Sequence, residues 1–351
     1  MDSATPSTPR LTQMTHGGGC GCKVAPAALR EIIRRSHPGI IPDKLLVGIE
    51  TGDDAAVYQI NDGQAIVATT DFFTPIVDDP HDFGAIAATN ALSDVYAMGG
   101  IPLFALAVVG MPVDTLPMAT IRRILEGGEA ICASIGIPIA GGHTIDAVEP
   151  IYGLVAVGQV DPRHIKRNAG ARPGDVLVLG KPLGVGVYGA ALKRQRLDAR
   201  HYRAMVAVAT QLNTPGAALG RMDAVHALTD VTGFGLLGHL LSMCRASAVG
   251  ARLTFDVLPL LPDVIELIGA GMITGASNRN WSSCRVDVKL GDGIDPIRRA
   301  LLTDPQTSGG LLAACEANAV EQVLVVFYEE GFVQAAAIGE IVAGPLQVTV
   351  N

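Results

Sequence analysis

The sequence predicts an α/β protein made of two domains, and three observations support that prediction. At 351 residues the chain exceeds the usual size of one hydrophobic core. Short apolar runs typical of strands alternate with longer segments of helical character, which is the pattern of α/β folds. A polar, turn-rich segment at 161–174 interrupts that pattern near the middle of the chain. We therefore expect a glycine-rich arm over residues 1–25, a first domain over 26–165 and a second over 171–351.

The first domain is predicted to alternate short strands with helices. A helix is expected to start at Pro26, because proline is tolerated in a first turn. A long helix over 83–98 has Asp82 as its candidate cap and ends at Gly99-Gly100. Another long helix is expected over 116–135. Strands are predicted at 44–48, 55–60, 65–70, 101–109, 137–140 and 151–160.

The second domain is predicted to repeat the alternation of strands and helices. Helices are expected across 202–222 and over 236–248, with the loop TDVTGFG leading into the second of them. Strands are predicted at 176–179, 252–257 and 311–314. How the two sheets pack against each other does not follow from the sequence.

Composition and charge exclude several classes of protein. Asp plus Glu number 34 against 26 Lys plus Arg, a net charge of −8, and without a basic block nucleic acid is not an expected partner. The longest apolar stretch, 101–113, contains two prolines and a glycine and is too short to cross a bilayer. The opening residues lack the apolar core of a signal peptide. Only Cys20 and Cys22 of the six cysteines lie close together, so we expect a reducing cytoplasm and not a disulfide framework.

Several carboxylates stand where α/β folds usually place ligand-binding groups. Asp53 and Asp54 enter a strand, and adjacent strand residues face opposite ways, so one can ligate Mg²⁺ while the other orients a neighbour or a ribose hydroxyl. Asp71 ends the next strand. Asp94 lies in an otherwise apolar helix one turn after Asn90, where a charge needs a cation, a metal or hydrogen-bond donors. Each also has a plain structural interpretation, as a solvated turn, a loop cap or an ion pair.

Glycine-bearing polar turns provide the remaining candidates for nucleotide binding. Asp230 precedes a helix in TDVTGFG, where free backbone N–H groups favour phosphate, although the loop also suits ordinary helix capping. The turns GGHT at 141–144 and DPQTSGG at 304–310 lie beside apolar strands. No GxxxxGK[ST] loop or kinase signature occurs. Mg²⁺ held by carboxylates would therefore have to carry a nucleotide.

The segment HGGGCGCK at 16–23 predicts a mobile, reactive arm. Its four glycines leave the backbone free to move or to approach a ligand closely. Lys23 beside the thiols favours the thiolate form. A flexible tail with incidental cysteines is the plain alternative. Zinc binding is another, but Cys20, Cys22 and His16 supply at most three local ligands.

With these motifs together, the sequence resembles the selenophosphate synthetases, also called selenide, water dikinases. The resemblance runs from about Leu11 to the C-terminus and is carried by HGGGCGCK, TGDDAAVY, TTDFFTPIVDD, ATNALSDVYAMGG, AGGHTID, TDVTGFGLLGHL and DPQTSGGLL, in the family's order. The aspartate motifs are also similar to those of aminoimidazole ribonucleotide synthetase, thiamine-phosphate kinase and a hydrogenase maturation factor. The resemblance implies a two-domain aminoimidazole ribonucleotide synthetase-like fold. In it the N-terminal domain pairs into a β-barrel across a homodimer, and the C-terminal domain is an α/β sandwich.

The resemblance also implies an activity and a set of site residues. It implies conversion of ATP, selenide and water to selenophosphate, AMP and orthophosphate, with more than one Mg²⁺ and with K⁺ as a further requirement. A selenium-delivery protein is a further implied partner. The matched catalytic residues are Cys20 and Lys23. The matched metal ligands are Asp54, Asp94 and Asp230, and the matched nucleotide contacts are Lys23, Thr51, Gly52, Asp53, Asp71, Asp94, Gly142, His143 and Thr144.

Two other functions remain open on the sequence. One is a kinase or ligase of the same superfamily, which shares the aspartates but needs neither Cys20 nor Lys23. The other is a thiol-based metal or redox carrier with structural aspartates. For the dikinase we expect residues 11–25 to be disordered or exposed without nucleotide and to close over bound Mg-ATP. Whether Cys20 carries selenium covalently or guides it stays open.

Overall fold

The computed structural model describes residues 9–24, 32, 42–49 and 52–351, and its first half is built on a six-stranded sheet. The strands lie in the order β1-β2-β3-β6-β4-β5, and every neighbouring pair is antiparallel except β4 and β5. β6 covers the predicted range. Their bounds are β1 Leu45–Val47, β2 Ala56–Asn61, β3 Gln64–Phe73, β4 Ile101–Met111, β5 Ile139–Asp146 and β6 Ile151–Val160.

Two helices, α1 (Pro80–Ala97) and α2 (Met118–Ser134), pack together against this sheet. The predicted cap of α1, Asp82, is wrong: the side chain of Asp79 accepts the N–H of Asp82 at 2.9 Å, because Pro80 suits the first turn and lets the helix begin earlier. α1 approaches α2 so closely that a Cβ on Gly84 would overlap the carbonyl oxygen of Ile124. The glycine therefore sets the spacing of the two helices.

A seven-stranded sheet forms the second half. Its order is β10-β13-β9-β12-β7-β11-β8, with antiparallel pairs except β10–β13 and β13–β9. The strand predicted at 252–257 ends earlier, because Phe255–Val257 is a 3₁₀ turn. The bounds are β7 Val176–Leu179, β8 Val225–Asp230, β9 Gly250–Leu253, β10 Val288–Leu290, β11 Leu311–Cys315, β12 Ala336–Val342 and β13 Val348–Val350.

The helices of the second half include one correction to the sequence prediction. The single helix predicted across 202–222 is two helices, because Pro215 cannot continue the first and instead starts the second. Asn213, between them, donates to Ser93 and to the carbonyl of Gly309. The bounds are α3 Val185–Lys193, α4 Ala199–Ala209, α5 Pro215–Gly220, α6 Gly235–Ser247, α7 Val264–Gly269, α8 Gly275–Cys284, α9 Pro296–Leu302 and α10 Val320–Glu329.

Helix α1 joins the two halves. It contacts α2, β3 and β6 of the first half and β8, α4 and α5 of the second, and its residues from 83 to 97 are all buried. The connecting segment is also packed: Nζ of Lys166 donates to the carbonyls of Met222 at 2.9 Å and Val225 at 2.7 Å. Polar side chains on α1 therefore face residues of both sheets.

The helix expected from Pro26 lies outside the described residues. Among the described residues, no helix is both long enough and apolar enough to span a bilayer.

Candidate active site

Four aspartates from four different elements interact in the space between the two halves. Asp54 precedes β2, Asp71 lies near the end of β3, Asp94 lies on α1 and Asp230 ends β8. Asp94 interacts electrostatically with the other three, and Asp54 with Asp230. The structure thus brings together residues that are up to 176 positions apart in the sequence. All four were predicted to bind a ligand, and that prediction requires them to lie close together.

Hydroxyl groups orient three of these carboxylates. Thr69 donates to Asp94 at 2.6 Å and Ser93 donates to Asp230 at 2.6 Å. Thr229 donates to Asp54 at 3.0 Å. Because a hydroxyl donor holds one oxygen of each carboxylate, the lone pairs that remain can serve a ligand.

Burial and mutual repulsion raise the pKa values of the clustered carboxyls. Burial is the main cause for Asp230, whose pKa rises to about 6. The pKa values of Asp54 and Asp94 rise well above the ordinary range, first through burial and then through neighbouring aspartates. Such a cluster is costly without cations. Oxygen ligands of this kind suit Mg²⁺, so the donor chemistry fits the metal implied by the resemblance.

Asp54, Asp230 and His239 form a candidate metal centre. Their potential ligand atoms lie within 4.8 Å of one another. Nε2 of His239, however, accepts the backbone N–H of Thr232 at 3.1 Å, and burial lowers the pKa of this histidine to about 3. His239 is therefore neutral and holds the loop that follows Asp230, which leaves the two carboxylates as the candidate hard ligands.

The arm places Cys20 and Lys23 against the carboxylates. Cys20 lies in a 3₁₀ turn, is 1% exposed, and its Sγ donates to Oδ1 of Asn90 at 3.2 Å. The amide of Asn90 donates to Asp71 at 2.5 Å. Nζ of Lys23 lies 3.3 Å from both carboxylate oxygens of Asp71. Thiol, amide, carboxylate and ammonium thus form one connected chain.

The protonation of Cys20 differs from the sequence prediction. We expected Lys23 to favour a thiolate, but burial raises the pKa of the thiol to about 12. Lys23 lowers this pKa, while Asp71 and Asp230 raise it. The pKa of Lys23 is itself raised, since the carboxylates outweigh its partial burial. The Cys20 thiol is therefore protonated, first because it is buried and then because Asp71 and Asp230 oppose a second anion beside them.

Other predicted residues lie apart from the cluster or are held by structural contacts. The turn predicted at GGHT is wrong: Gly142, His143 and Thr144 belong to β5, an exposed edge strand separated from β3 by two strands. A Cβ on Gly142 would overlap the carbonyl of Ala107 on β4, so this strand position requires glycine.

The predicted residues before β2 are tied to the connector between the halves. Asp53 accepts the backbone N–H of Asn168 at 2.6 Å, and the side chain of Asn168 donates to the carbonyl of Gly52 at 2.8 Å. Thr51 lies outside the described residues. The roles of Gly52, Asp53 and Thr51 in nucleotide binding stay predictions.

Three site residues were missed as such by the sequence analysis. Asn90 was noted only as a neighbour of Asp94, yet its oxygen also accepts the backbone N–H of Ser308 at 2.8 Å. Ser93 and His239 carried no signal of their own. Ser93 is next to Asp94 but donates to Asp230, and His239 lies on α6 whereas Asp230 ends β8. A polar residue on a buried helix does not reveal which side chain it will meet from another element.

Family models match both halves of the chain. The model described as "AIR synthase related protein, N-terminal domain" matches residues 52–160, and the corresponding C-terminal domain matches 172–351. Solved structures of similar fold include a thiamine-monophosphate kinase from Stenotrophomonas maltophilia (TM-score 0.63, 22% identity, 93% of this chain and 95% of that chain). Another is a HypE–HypF complex (TM-score 0.65, 19% identity, 93% and 96%). These confirm the predicted two-domain fold class.

Curated relatives are similar over nearly the whole chain. A protein named "Selenide, water dikinase" from Burkholderia pseudomallei is 62% identical over 98% of both chains. The protein of the same name from Dechloromonas aromatica is 62% identical over 95% of this chain and 96% of its own. That from Rhizobium meliloti is 51% identical over 97% and 98%. The chain therefore belongs to the selenide, water dikinase family of AIR synthase related proteins.

Proposed function

We propose that this protein makes selenophosphate by converting ATP, selenide and water to selenophosphate, AMP and orthophosphate. The observation that carries the proposal is the connected chain Cys20–Asn90–Asp71–Lys23. It puts the thiol that distinguishes this family from its superfamily beside the carboxylates that its superfamily shares. A kinase that needed only the aspartates would have no use for a buried thiol at this place.

The proposed roles of the carboxylates follow from their charge and position. Asp54, Asp94 and Asp230 would hold Mg²⁺, and more than one ion is expected because the cluster and a polyphosphate together carry many negative charges. When bound, Mg²⁺ supplies charge neutralisation to the phosphates during in-line attack. Asp71 would then release Lys23 toward the phosphates or share it with them.

The arm has two proposed roles. Cys20 and Lys23 would meet the selenium and phosphate groups at the same place, which lowers the entropy cost of bringing them together. Residues 19–23 would also exclude water, which matters because two anhydride bonds are broken in one cycle. In the transfer, a Se–P bond forms as the γ-phosphate leaves ADP, and water then takes the second phosphate to give AMP and orthophosphate.

The decisive test is phosphorus NMR of ATP with Mg²⁺, with and without selenide, under anaerobic conditions. We expect selenophosphate, AMP and orthophosphate in equal amounts, and none of them without selenide beyond a slow hydrolysis. ADP as the final nucleotide would favour a kinase of the same superfamily. No turnover and no nucleotide binding would favour a thiol-based carrier.

We further propose a homodimer in which β5 lies at the subunit interface. β5 is an edge strand whose residues from Ala140 to Asp146 are all exposed, and an unpaired edge of this kind is usually covered. Pairing there would bring Gly142, His143 and Thr144 toward a nucleotide shared with a second copy. Analytical ultracentrifugation of wild type and of a His143→Pro variant tests this, since proline within β5 disfavours its pairing with a further strand. A wild-type monomer that turns over normally would contradict it.

K⁺ and a selenium-delivery protein are further proposals that rest on the family resemblance. K⁺ is tested by turnover in potassium compared with sodium salts at equal ionic strength. A delivery protein is tested by whether turnover at low selenide rises when a selenium-loaded carrier is added.

A further inference from the structure

A cavity of about 620 Å³ lies on the other side of the arm from the carboxylates. The arm contributes His16, Cys22 and glycines to its wall, α3 contributes Lys193, and α8 contributes Arg279. None of the four clustered aspartates lines it. The cavity and the carboxylate cluster are therefore two separate spaces divided by the arm.

The wall of the cavity is cationic. Lys193, Arg194 and Arg279 line it, and within the described part of the chain none of them lies within ion-pair distance of a carboxylate. Lys193 donates to the carbonyl of Thr15 at 2.8 Å and Arg279 to that of Gly21 at 3.1 Å, so two of these charges also hold the arm. No Asp or Glu is among the lining residues. The cavity thus attracts anions in a protein whose net charge is −8.

Only one layer of protein separates this cavity from Cys20. Thr307 lines the cavity, and its Oγ1 accepts the backbone N–H of Cys20 at 3.1 Å. The Sγ of Cys20 contacts Asn90 on the carboxylate side, whereas Cys22 lines the cavity itself. The two thiols of one Cys-Gly-Cys turn therefore belong to opposite sides of the arm.

We infer that this cavity is the entrance for the anionic selenium substrate, hydrogen selenide, and this inference rests on the function proposed above. Hydrogen selenide is an anion at neutral pH, so the four aspartates repel it on their side of the arm. Magnesium-bound ATP approaches from that side because the metal offsets the repulsion. The small anion collects on the cationic side, passes Cys22 and reaches Cys20 when the glycine-rich turn shifts. Gly19 has a φ of +55°, and because it lacks a Cβ its backbone can change conformation in such a shift more easily than that of another residue.

The kinetic test replaces two charges while keeping hydrogen-bond donors. A Lys193→Gln, Arg279→Gln double variant removes both charges and leaves an amide donor on each side chain, so it changes the charge of the wall more than its capacity to donate hydrogen bonds. We expect kcat/KM for selenide to fall about tenfold, with kcat/KM for Mg-ATP within about twofold of wild type. The wild-type value for selenide should also fall with added salt, and that dependence should flatten in the variant. Arg123→Gln, which removes an exposed charge on α2, is the matched control.

An equal fall for both substrates, or no fall for selenide, would overturn the inference. Equal effects would mean that the two cations only position the arm. If wild type shows no selenide-dependent AMP formation at all, the proposed function fails, and this outcome is distinct from a normal enzyme with unaltered selenide kinetics.

A second test needs no turnover. Cys22 is labelled with anionic iodoacetate and with neutral iodoacetamide, and the assignment is checked by loss of label in Cys22→Ser. The same thiolate attacks both reagents and displaces iodide, so the ratio of the two rates reports the local electrostatic potential and not the acidity of the thiol. We expect the iodoacetate-to-iodoacetamide ratio to drop about fivefold in the double variant. An unchanged ratio would show that the cavity does not concentrate anions and would overturn the proposed entrance.

Discussion

The carboxylate cluster and the arm that covers it are held in different ways. The aspartates project from two strands, a buried helix and a strand entry, and hydroxyl donors fix three of them at 2.6–3.0 Å. The arm is instead held by separate contacts with several distant elements. Some use its backbone, such as the N–H of Gly19 to the carbonyl of Thr74 at 2.9 Å, and others use side chains, such as the hydroxyl of Thr12 to Asp78. Among the described residues, the arm makes an ion pair with the cluster between Lys23 and Asp71.

The carboxylate cluster is therefore a preformed electrostatic site, whereas the arm is a cover that can detach from it. The cluster is costly in itself, because its carboxylates repel each other, and it needs cations to be stable. The arm supplies one such cation, Lys23, without metal. Mg²⁺ and Lys23 therefore both offset the repulsion between the carboxylates. Whether Mg²⁺ is bound should accordingly change how strongly the arm binds to the cluster.

The largest expected effect on activity comes from replacing the thiol of Cys20 in the arm. Cys20→Ser should lower selenide-dependent AMP formation by on the order of 10³-fold or more, because serine keeps the size but not the chemistry of sulfur. Cys22→Ser is the matched control and should lose far less. Far-UV circular dichroism and melting should be unchanged in both. Wild-type turnover in Cys20→Ser, or a greater loss of activity in Cys22→Ser, would show that Cys20 is not the thiol that takes part in the chemistry.

On the carboxylate side, Asp54→Asn, Asp94→Asn and Asp230→Asn should each weaken Mg²⁺-dependent ATP binding by at least about tenfold. Melting temperature without metal should stay constant or rise, because each change removes a buried charge from a repelling group. Titration calorimetry with Mg²⁺ and a non-hydrolysable ATP analogue measures the first effect. Unchanged Mg²⁺-dependent binding of the ATP analogue in all three variants would show that these aspartates have only a structural role.

The sequence predicted the carboxylate cluster better than the arm, and the reason is physical. Asp71 and Asp230 stand at strand ends, and the ends of strands in α/β folds converge on ligand sites, so their meeting was foreseeable. Asp94 on a buried helix needed a compensating group, which also was foreseeable. The seating of residues 9–24 was not, because it depends on single contacts with distant side chains such as Asp78, which accepts from Thr12 at 2.6 Å.

Errors at the turns have a related origin. The segment GGHT has turn composition, but its backbone pairs with β4 and extends β5, since a neighbouring strand supplies hydrogen bonds that local propensity does not reveal. The raised pKa of Cys20 was missed for the same kind of reason. Lys23 belongs to the same short segment of sequence as Cys20, whereas the aspartates and the burial that oppose the thiolate come from distant parts of the chain.

A smaller effect should follow when the cation of the arm is removed. Ordering this glycine-rich segment costs about 1–2 kcal/mol per residue in backbone entropy, so its protection should depend on Lys23 meeting an anion. Proteinase K should cut residues 11–25 faster in Lys23→Ala than in wild type. A non-hydrolysable ATP analogue with Mg²⁺ should protect wild type and the Lys23→Arg control but not Lys23→Ala. Equal cleavage in every state would show that the arm is no cover.

The smallest expected effect lies in the loop that anchors the arm to the second half. Asp304 precedes Thr307 in DPQTSGG, is 1% exposed, and accepts the N–H of Val187 at 3.2 Å and the amide of Gln306 at 3.0 Å. Burial raises the pKa of its carboxyl to about 7 and outweighs the hydrogen bonds, which lower it. The folded protein therefore binds a proton that the unfolded chain has already released above about pH 4.

Stability linked to Asp304 is thus present at low pH and is lost as the pH rises through about 7. Between pH 5.5 and 8 this amounts to at most about 2 kcal/mol in the free energy of unfolding. Asp304→Asn keeps an acceptor for Val187 but cannot ionise, so urea midpoints should fall less with pH than in wild type. Asp230 also has a raised pKa, but its contribution should disappear when Mg²⁺ is bound, whereas that of Asp304 should be the same in EDTA and in Mg²⁺. A slope in Asp304→Asn equal to that of wild type under both conditions would show that this loop does not titrate and that the pH dependence belongs to the metal-binding cluster alone.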